Sequence, residues 1–230
     1  MSDLKFVSPM LATLVRTLPE GREWEYELKL DGYRLQAIKI GEDMRLYSRR
    51  GSDFTKKFGK IAKAVSMIPE SSFILDGEAV AVDAQGKPSF QMLQNRSSLP
   101  PGWSLVYYAF DLLQLNGKDL KDRPLEERRS LLEKVLGNSG VLLSQSLPGT
   151  LSQIIAAVKQ HGLEGVIAKH LDSKYYAGRR SELWLKHPLK PKQDFIIGGF
   201  RMEGRRLELF LVGYFENGKL LFAAKVTLRA

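Results

Sequence analysis

Charged side chains alternate with apolar ones in a short stretch near the start of the chain, at Glu27, Lys29 and Asp31, and Gly32 follows them. This period-2 pattern is typical of a β-strand with one buried face, so we expect the three charged side chains on the same side. A lysine can act as a nucleophile when burial or neighbouring charge lowers its pKa, and a glycine beside it lets a bulky ligand approach. A solvated strand face is the commoner explanation of such a stretch by itself.

A turn signal ends this stretch. Asp31 and Gly32 separate the alternating residues from a second extended run at 33–40. Asp-Gly between two such runs is the strongest short-range signal for a β-hairpin. We therefore predict a hairpin over residues 23–40, with Lys29 near the mouth of its turn.

Further along the chain, other short motifs place chemically useful residues on strands or at strand ends. They are Ser48-Arg49-Arg50-Gly51, Asp76-Gly77-Glu78, Tyr108-Ala109-Phe110-Asp111, Glu164-Gly165-Val166-Ile167-Ala168-Lys169 and Trp184-Leu185-Lys186. Two acids on one strand face suit a ribose hydroxyl or a metal ion. Each motif also has an ordinary structural explanation: a solvated arginine pair, a charged sheet edge, a core aromatic ring or a snorkelling surface lysine.

The elements that must position these residues mix strands and helices without regular βαβ alternation. Beyond the hairpin, strands are predicted at 44–49, 72–83, 104–115, 141–143, 164–169 and 182–186. Helices are predicted at 54–68 with Asp53 as its cap, at 90–95, at 124–136 with Pro124 in its first turn, and at 151–160. This order predicts an α+β fold with mostly antiparallel sheets.

The composition changes at residues 187–192, where the Pro- and Lys-rich sequence indicates a linker. Beyond it, residues 195–200, 207–215 and 220–226 predict a three-stranded meander. Its turns are expected at Glu203-Gly204 and Asn217-Gly218. Three strands are too few for a complete barrel. We therefore expect one domain at 1–189 and an incomplete β region at 190–230.

Composition narrows the possible environments and partners. The 230 residues carry 35 Lys and Arg against 26 Asp and Glu, a net charge of +9 that suits a polyanionic partner. The absence of Cys excludes disulfides and thiolate metal sites. No apolar run reaches the roughly 18 residues of a membrane span, and no apolar export signal opens the chain. We expect a cytoplasmic protein without a membrane partner.

The motifs taken together resemble a known superfamily. Residues 29–34, Lys-Leu-Asp-Gly-Tyr-Arg, are similar to the K-x-D-G-x-R signature of covalent nucleotidyltransferases, and the later motifs follow in the order of the ATP-dependent DNA ligases. The resemblance extends from Pro9 to about Val226. The lead-in Pro9-Met10-Leu11-Ala12 is most similar to bacterial ligases of the ligase-D type, which are associated with double-strand-break end joining.

This resemblance implies a fold and a reaction. The fold is a nucleotidyltransferase (ATP-grasp-like) domain of antiparallel sheets flanked by helices, followed by part of an OB-fold domain. In the reaction, Lys29 attacks the α-phosphate of ATP and becomes a lysyl-adenylate. The AMP then passes to a DNA 5′-phosphate at a nick, and the 3′-hydroxyl displaces it.

The resemblance also implies roles for individual residues. Glu27 corresponds to a position near the adenine amino group, and Phe110 to the ring that stacks on the base. Arg34 and Arg49 match nucleotide-contacting positions, and Glu78 matches a residue near the ribose or a metal. The remaining nucleotide-binding positions are Leu28, Val166, Lys169, Arg180 and Lys186, of which the two lysines and Arg180 are expected around the phosphates.

A divalent cation is part of the same expectation. Glu164 resembles the carboxylate that places Mg²⁺, with Mn²⁺ as a substitute, and Glu78 is a further candidate ligand. Asp31 is expected either to hold the metal through water or to orient Lys29. Magnesium takes few protein ligands and keeps several waters.

The chain departs from the family pattern at two places. Pro188 stands where many members carry a second lysine after Trp-Leu-Lys, so one phosphate contact is missing. Residues 195–230 resemble only the first strands of the OB domain, without its basic motif. The chain is then either a fragment or a naturally shortened protein.

The expected partners are nicked or broken double-stranded DNA and proteins of end joining. We expect a monomer in the cytoplasm, associated with the bacterial nucleoid. Two alternatives remain open from the sequence: an RNA ligase or capping guanylyltransferase of the same superfamily, and a basic nucleotide- or DNA-binding module without turnover.

Overall fold

Alternating apolar residues form the strands of this chain, and amphipathic helices cover them. The computed structural model describes residues 5–190 and 195–228. By its contacts the chain divides into two units, residues 1–190 and 191–230. None of the helices in the described part of the chain is long and apolar enough to span a membrane.

The first unit contains ten strands and four α-helices among its described residues. The strands are β1 (Leu11–Leu14), β2 (Trp24–Leu28), β3 (Tyr33–Ile40), β4 (Asp43–Ser48), β5 (Ser72–Val82), β6 (Ser104–Leu115), β7 (Lys118–Asp119), β8 (Leu142–Leu143), β9 (Gly165–His170) and β10 (Arg180–Pro188). The helices are α1 (Gly59–Ser66), α2 (Phe90–Gln94), α3 (Leu125–Leu136) and α4 (Leu151–Gln160). Short 3₁₀ turns occupy Lys56–Phe58 and Arg96–Ser98.

These strands form two sheets. One has the order β1-β10-β9-β2, and the other has the order β4-β3-β5-β6-β7, with β8 paired to β6. The β1–β10 and β6–β8 pairs are parallel, and the others are antiparallel. The prediction of an α+β fold with mostly antiparallel sheets is confirmed.

Three apolar clusters hold the unit together. The largest packs α1 and α3 against the second sheet, around Phe58, Leu75 and Leu132. A second cluster packs α4 against β2, β9 and β10. The third joins side chains of both sheets, including Ile74 and Trp184, so the sheets contact each other there.

The predicted hairpin over residues 23–40 is wrong. Strand β2 pairs with β9, whereas β3 pairs with β4 and β5, so residues 29–32 cross from one sheet to the other. Gly32 is needed for a close approach to β5, because a Cβ atom at this position would lie 2.2 Å from the Ala79 carbonyl oxygen. The Asp-Gly pair therefore serves packing between strands and not a two-residue turn.

Other element boundaries also differ from the predictions. The helix expected from residue 54 begins at Gly59, after the 3₁₀ turn, and Asp53 accepts a hydrogen bond from Thr55 N at 2.8 Å instead of capping the helix. Pro124 is the N-cap of α3 and not a residue of its first turn. His187 and Pro188, expected in a linker, pair with β9 as the end of β10. Residues 191–194 of that linker lie outside the described residues.

The second unit is the predicted antiparallel meander of β11 (Ile196–Glu203), β12 (Arg206–Glu216) and β13 (Lys219–Thr227). Asn217 and Gly218 connect β12 to β13 with φ angles of 49° and 75°, as a tight two-residue turn requires. Large apolar side chains of this unit are exposed, Phe200 and Phe222 among them. Three strands do not close a barrel.

Candidate active site

A cavity of roughly 820 Å³ is lined by residues of both sheets and of the crossing segment 29–32. Its volume is typical of a small-molecule site. Many of the residues that the sequence predicted for nucleotide binding line it: Lys29, Arg34, Arg49, Glu78, Phe110, Lys169, Arg180 and Lys186. The two sheets thus bring together motifs that lie up to 157 residues apart in the chain, from Lys29 to Lys186.

Lys29 directly follows β2, and its side chain is paired with the carboxylate of Glu164, which directly precedes the neighbouring strand β9. Its Nζ donates to Glu164 Oε1, and both side chains are about one-fifth exposed. The backbone N–H of Lys29 donates to the Gly165 carbonyl at 2.9 Å, which extends the β2–β9 ladder to the lysine itself. The second carboxylate oxygen, Glu164 Oε2, is buried and has no hydrogen-bond partner in the described structure.

Arg34 and Glu78 lie on adjacent strands, β3 and β5, where they face each other in the register. Arg34 makes a two-pronged contact with Asp76, at 3.0 Å and 2.6 Å, and its guanidinium lies 5.2 Å from the centre of the Phe110 ring. Burial raises the pKa of Glu78 to about 8, although nearby Arg34 opposes the shift, and the Asp76 carboxylate adds to it. Asp76 is thus paired with Arg34, whereas Glu78 forms no ion pair within the described part of the chain.

Cationic side chains gather at the open part of the cavity. Arg49 and Arg180 are exposed, and Lys186 is half-buried on β10. Burial lowers the pKa of Lys186, and the positive charges of Arg180, Lys29 and Arg49 lower it further. Lys186 is therefore close enough to the other three cations to be repelled by them, and a bound polyphosphate would relieve this repulsion.

The aromatic end of the cavity is the part lined by Phe110 and Trp184. Lys169, predicted to lie around the phosphates, contacts both rings: its Nζ is 4.5 Å from the centre of the Phe110 ring and 4.6 Å from that of Trp184. It is buried and donates to Glu27 Oε1 at 2.6 Å. Burial lowers the pKa of this lysine, and the Glu27 carboxylate opposes the shift. Phe110 packs edge-on against Trp184 at the border of the third apolar cluster.

Glu27 is not exposed to the cavity, although the period-2 pattern placed it beside Lys29. Its Oε1 also accepts from Arg129 Nη1 at 2.8 Å, and its Oε2 accepts from Ser144 Oγ at 2.6 Å. Two other predicted nucleotide-binding residues, Leu28 and Val166, belong to the apolar cluster against α4. None of these three residues is among those that line the cavity.

The sequence reasoning missed the arginines of α3. Arg129 contacts Glu27, and Arg128 makes a two-pronged contact with Asp111, at 2.7 Å and 2.9 Å, next to Phe110. Both arginines are buried. Leu125, Leu132 and Leu136 are buried on the same helix, so the i, i+3, i+4 spacing from these leucines placed the arginines on the apolar face. That signal was present in the sequence.

Tyr175 is a further missed residue. Its hydroxyl donates to Asp76 Oδ2 at 2.5 Å and accepts from Met10 N at 3.0 Å. It thereby ties the start of the chain to the carboxylate that holds Arg34. Burial and the neighbouring Asp76 charge raise the pKa of the Tyr175 hydroxyl, so it stays protonated and remains a donor.

The carboxylates fit a divalent cation that also binds phosphate. Within the described residues, no three Asp, Glu, His or Cys side chains gather into a metal site of their own. Glu164 nevertheless presents a buried oxygen without a partner, and Glu78 lacks a neutralising cation. Asp31, the third predicted ligand, lies 3.8 Å from Lys190 and is not among the cavity-lining residues.

The sequence model of the ATP dependent DNA ligase domain matches residues 9–187. This chain belongs to the ATP-dependent DNA ligase family. The family prediction made from the motifs is confirmed.

Relatives of this ligase-family chain include multifunctional end-joining proteins. It is 38% identical over 231 residues to the multifunctional non-homologous end joining protein LigD of Pseudomonas aeruginosa. It is 38% identical over 226 residues to the LigD protein of Mycobacterium tuberculosis. Both matches cover 96% of this chain, but only 27% and 29% of those proteins, so the chain spans less than a third of their length.

Solved structures agree with the ligase fold. The chain superposes on a mycobacterial DNA ligase D complexed with ATP and MES with a TM-score of 0.76 and 37% identity, over 96% of this chain and 72% of that one. The ligase domain of M. tuberculosis LigD gives a TM-score of 0.72 and 36% identity, with the same coverage.

Proposed function

We propose that this chain is the catalytic core of an ATP-dependent DNA ligase in which Lys29 carries AMP as a covalent intermediate. The observation that supports this most directly is the placing of Lys29 in a cavity with an aromatic end and a cationic part. A nucleotide base suits the aromatic end, and a polyphosphate suits the cationic part. Lys29 would then meet the α-phosphate between them.

The first chemical step is a substitution at phosphorus. As the neutral amine, Lys29 Nζ forms a bond to the α-phosphorus of ATP and releases one proton to solvent, and the bond from that phosphorus to the bridging oxygen breaks. Pyrophosphate leaves with the electron pair of the broken bond. In the later steps the AMP passes to a DNA 5′-phosphate, and the 3′-hydroxyl displaces it to close the strand.

The surrounding cations of this chain would stabilise the charge that develops on the leaving phosphates. Arg49, Arg180 and Lys186 are the candidates, because they line the cavity together with Lys29. Arg34, held by Asp76 and lying over Phe110, would contact the nucleotide between base and phosphates. The fixed positions of these charges avoid reorganisation during the reaction.

Magnesium would bind through Glu164, with Glu78 as the second candidate, since both carboxylates lack a full set of partners. When bound, the ion offsets phosphate charge and helps to fix the phosphates in place. Glu164 also accepts the hydrogen bond from Lys29, so the same carboxylate would both orient the nucleophile and bind the metal.

The substrate proposed is nicked or broken double-stranded DNA, in end joining. The net charge of +9 and the similarity to LigD proteins support this choice. Since the chain spans less than a third of those relatives, end-joining partner proteins are part of the proposal and not of the family assignment.

Intact-protein mass spectrometry after incubation with ATP and Mg²⁺ tests the proposal. We expect wild type to gain one AMP and Lys29→Ala to gain none. Lys159→Ala, which removes an exposed lysine of α4, is the matched control and should label as wild type does.

A nick that already carries AMP on its 5′-phosphate separates the steps. Sealing of this nick without self-labelling would indicate a working core that cannot complete the first step alone. If the chain shows no labelling and no sealing, the proposal is contradicted, and a binding module without turnover is favoured. Equal labelling of wild type and Lys29→Ala would remove Lys29 from its assigned role.

A further inference from the structure

Arg129 of α3 does not line the cavity, but it contacts Glu27, the hydrogen-bond partner of the cavity-lining Lys169. Arg129 is buried, and two of its three guanidinium nitrogens donate hydrogen bonds. Nη1 donates to Glu27 Oε1 at 2.8 Å and Nη2 donates to the Ser144 carbonyl at 2.7 Å, whereas Nε lies 2.9 Å from Glu25 Oε2 as an ion pair without a hydrogen bond. Because the donors of a guanidinium form a rigid planar fork, the two hydrogen bonds fix its orientation.

Glu27 transmits this constraint to Lys169. The carboxylate accepts from Arg129 and Lys169 at one oxygen and from Ser144 Oγ at the other. With both oxygens occupied, it cannot turn without breaking a buried charge-assisted hydrogen bond. Lys169 in turn lines the cavity and lies over the ring of Phe110, whereas Arg129 and Glu27 are not among the lining residues.

We propose that Arg129 is a positioning residue for base selection, acting through Glu27 on the ammonium group of Lys169. The inference rests on the proposed function, because it takes the aromatic end of the cavity as the place of the base. An ammonium group only donates hydrogen bonds, so its exact position favours a base with a lone pair at the matching point. Arg129 fixes that position without touching the nucleotide.

ATP and ITP are suitable probes of this selection. Exchanging adenine for hypoxanthine replaces the amino group by a carbonyl and the lone pair at N1 by an N–H, while the sugar and phosphates stay the same. A loss of positioning therefore changes the ratio of the two nucleotides. A loss of stability alone lowers the active fraction equally for both, so the ratio is the readout that a merely structural role would not move.

Arg129→Lys is the main test, since lysine keeps the positive charge but cannot donate to Glu27 and Ser144 as a rigid planar fork. Covalent nucleotide transfer to Lys29 is measured in the full chain at varied ATP and ITP. We expect the KM for ATP to rise about tenfold, as for one impaired buried charged hydrogen bond, with the rate at saturation little changed. The preference for ATP over ITP should fall by about the same factor. Lys134→Met, an exposed lysine of the same helix, is the control and should change neither value.

An unchanged ATP-to-ITP preference in folded Arg129→Lys would overturn the inference. If that variant does not fold, Glu25→Gln is the second test, because it weakens the ion pair at Nε of Arg129. An unchanged preference of Glu25→Gln for ATP over ITP would then overturn the inference. Failure of the proposed function looks different, because wild type itself would then neither take up a nucleotide nor seal a nick that already carries AMP.

Discussion

Two lysine–glutamate pairs join the same two strands, β2 and β9, and they differ in burial. In the open pair, Lys29 follows β2 and Glu164 precedes β9, and the side chains are 22% and 21% exposed. In the closed pair, Glu27 lies in β2 and Lys169 in β9, and both side chains are 3% exposed. The order of charges along the strands is reversed between the pairs.

Under the proposed function, the difference suits one sheet edge to both chemistry and base selection. The open pair lines a cavity, and its carboxylate keeps one oxygen without a partner. The closed pair is surrounded by Arg129, Ser144 and two aromatic rings, which occupy its hydrogen-bonding groups. A reactive group must be free to change partners, whereas a selecting group must not move.

The closed pair should carry the larger cost in stability. Glu27→Ala leaves Lys169 and Arg129 buried without their shared carboxylate, so we expect the free energy of unfolding to fall by about 3–5 kcal/mol. Glu164→Ala, the matched change in the open pair, should cost about 1 kcal/mol or less. Urea unfolding monitored by circular dichroism measures both.

A double variant sharpens this prediction. Glu27→Leu combined with Lys169→Met replaces both charges by apolar groups, and Arg129 keeps Glu25 as a partner. We expect the double variant to be more stable than Glu27→Ala, since a buried charge without a partner costs more than its absence. Equal or lower stability would mean that the pair contributes packing and not charge balance.

The open pair should carry the larger cost in reaction rate. Glu164→Gln keeps the size of the side chain but removes its charge, so Lys29 loses its ionic partner and the cation site loses a ligand. We expect the rate of AMP transfer to Lys29 to fall by about 10–100-fold. More Mg²⁺ should partly restore it. A normal rate at low Mg²⁺ would exclude Glu164 from metal binding. The control is Glu182→Gln, at an exposed position of β10.

The last effect concerns the pH dependence of stability. The pKa of Glu78 is raised from 4.5 to about 8 in the folded chain, so between these values the folded state binds more protons than the unfolded state. Stability contributed by protonated Glu78 is present below about pH 4.5 and is lost as the pH rises towards 8. In buffer without Mg²⁺, Glu78→Gln should flatten this decline. The urea midpoint at pH 5 and pH 8 measures it, and an identical decline in the variant would contradict the shift.

Local patterns predicted much of the fold. Extended, largely apolar runs identified β3, β5 and β6, and the Asn217-Gly218 turn was found because these residue types favour its positive φ angles. The hairpin failed because the partner of β2 lies more than 100 residues away, in β9. Alternation indicates a strand but carries no information about its neighbour.

The candidate site was predicted in its parts, but its division into two ends was not. The order of motifs brought Lys29, Phe110 and Lys186 into one cavity as expected. It did not reveal the contacts of Lys169, because they depend on the rings of Phe110 and Trp184 and on Glu27, which Arg129 of α3 holds. Such contacts arise only when distant elements pack.

The backbone hydrogen bond from Lys29 to Gly165 has a consequence for motion. It fastens the main chain of the lysine to the strand that begins beside Glu164, so the two residues travel together in any displacement of β9. Separating their charged groups then needs only a change of side-chain rotamer and no movement of the strands. The nucleophile could be released from its carboxylate without any loosening of the sheet.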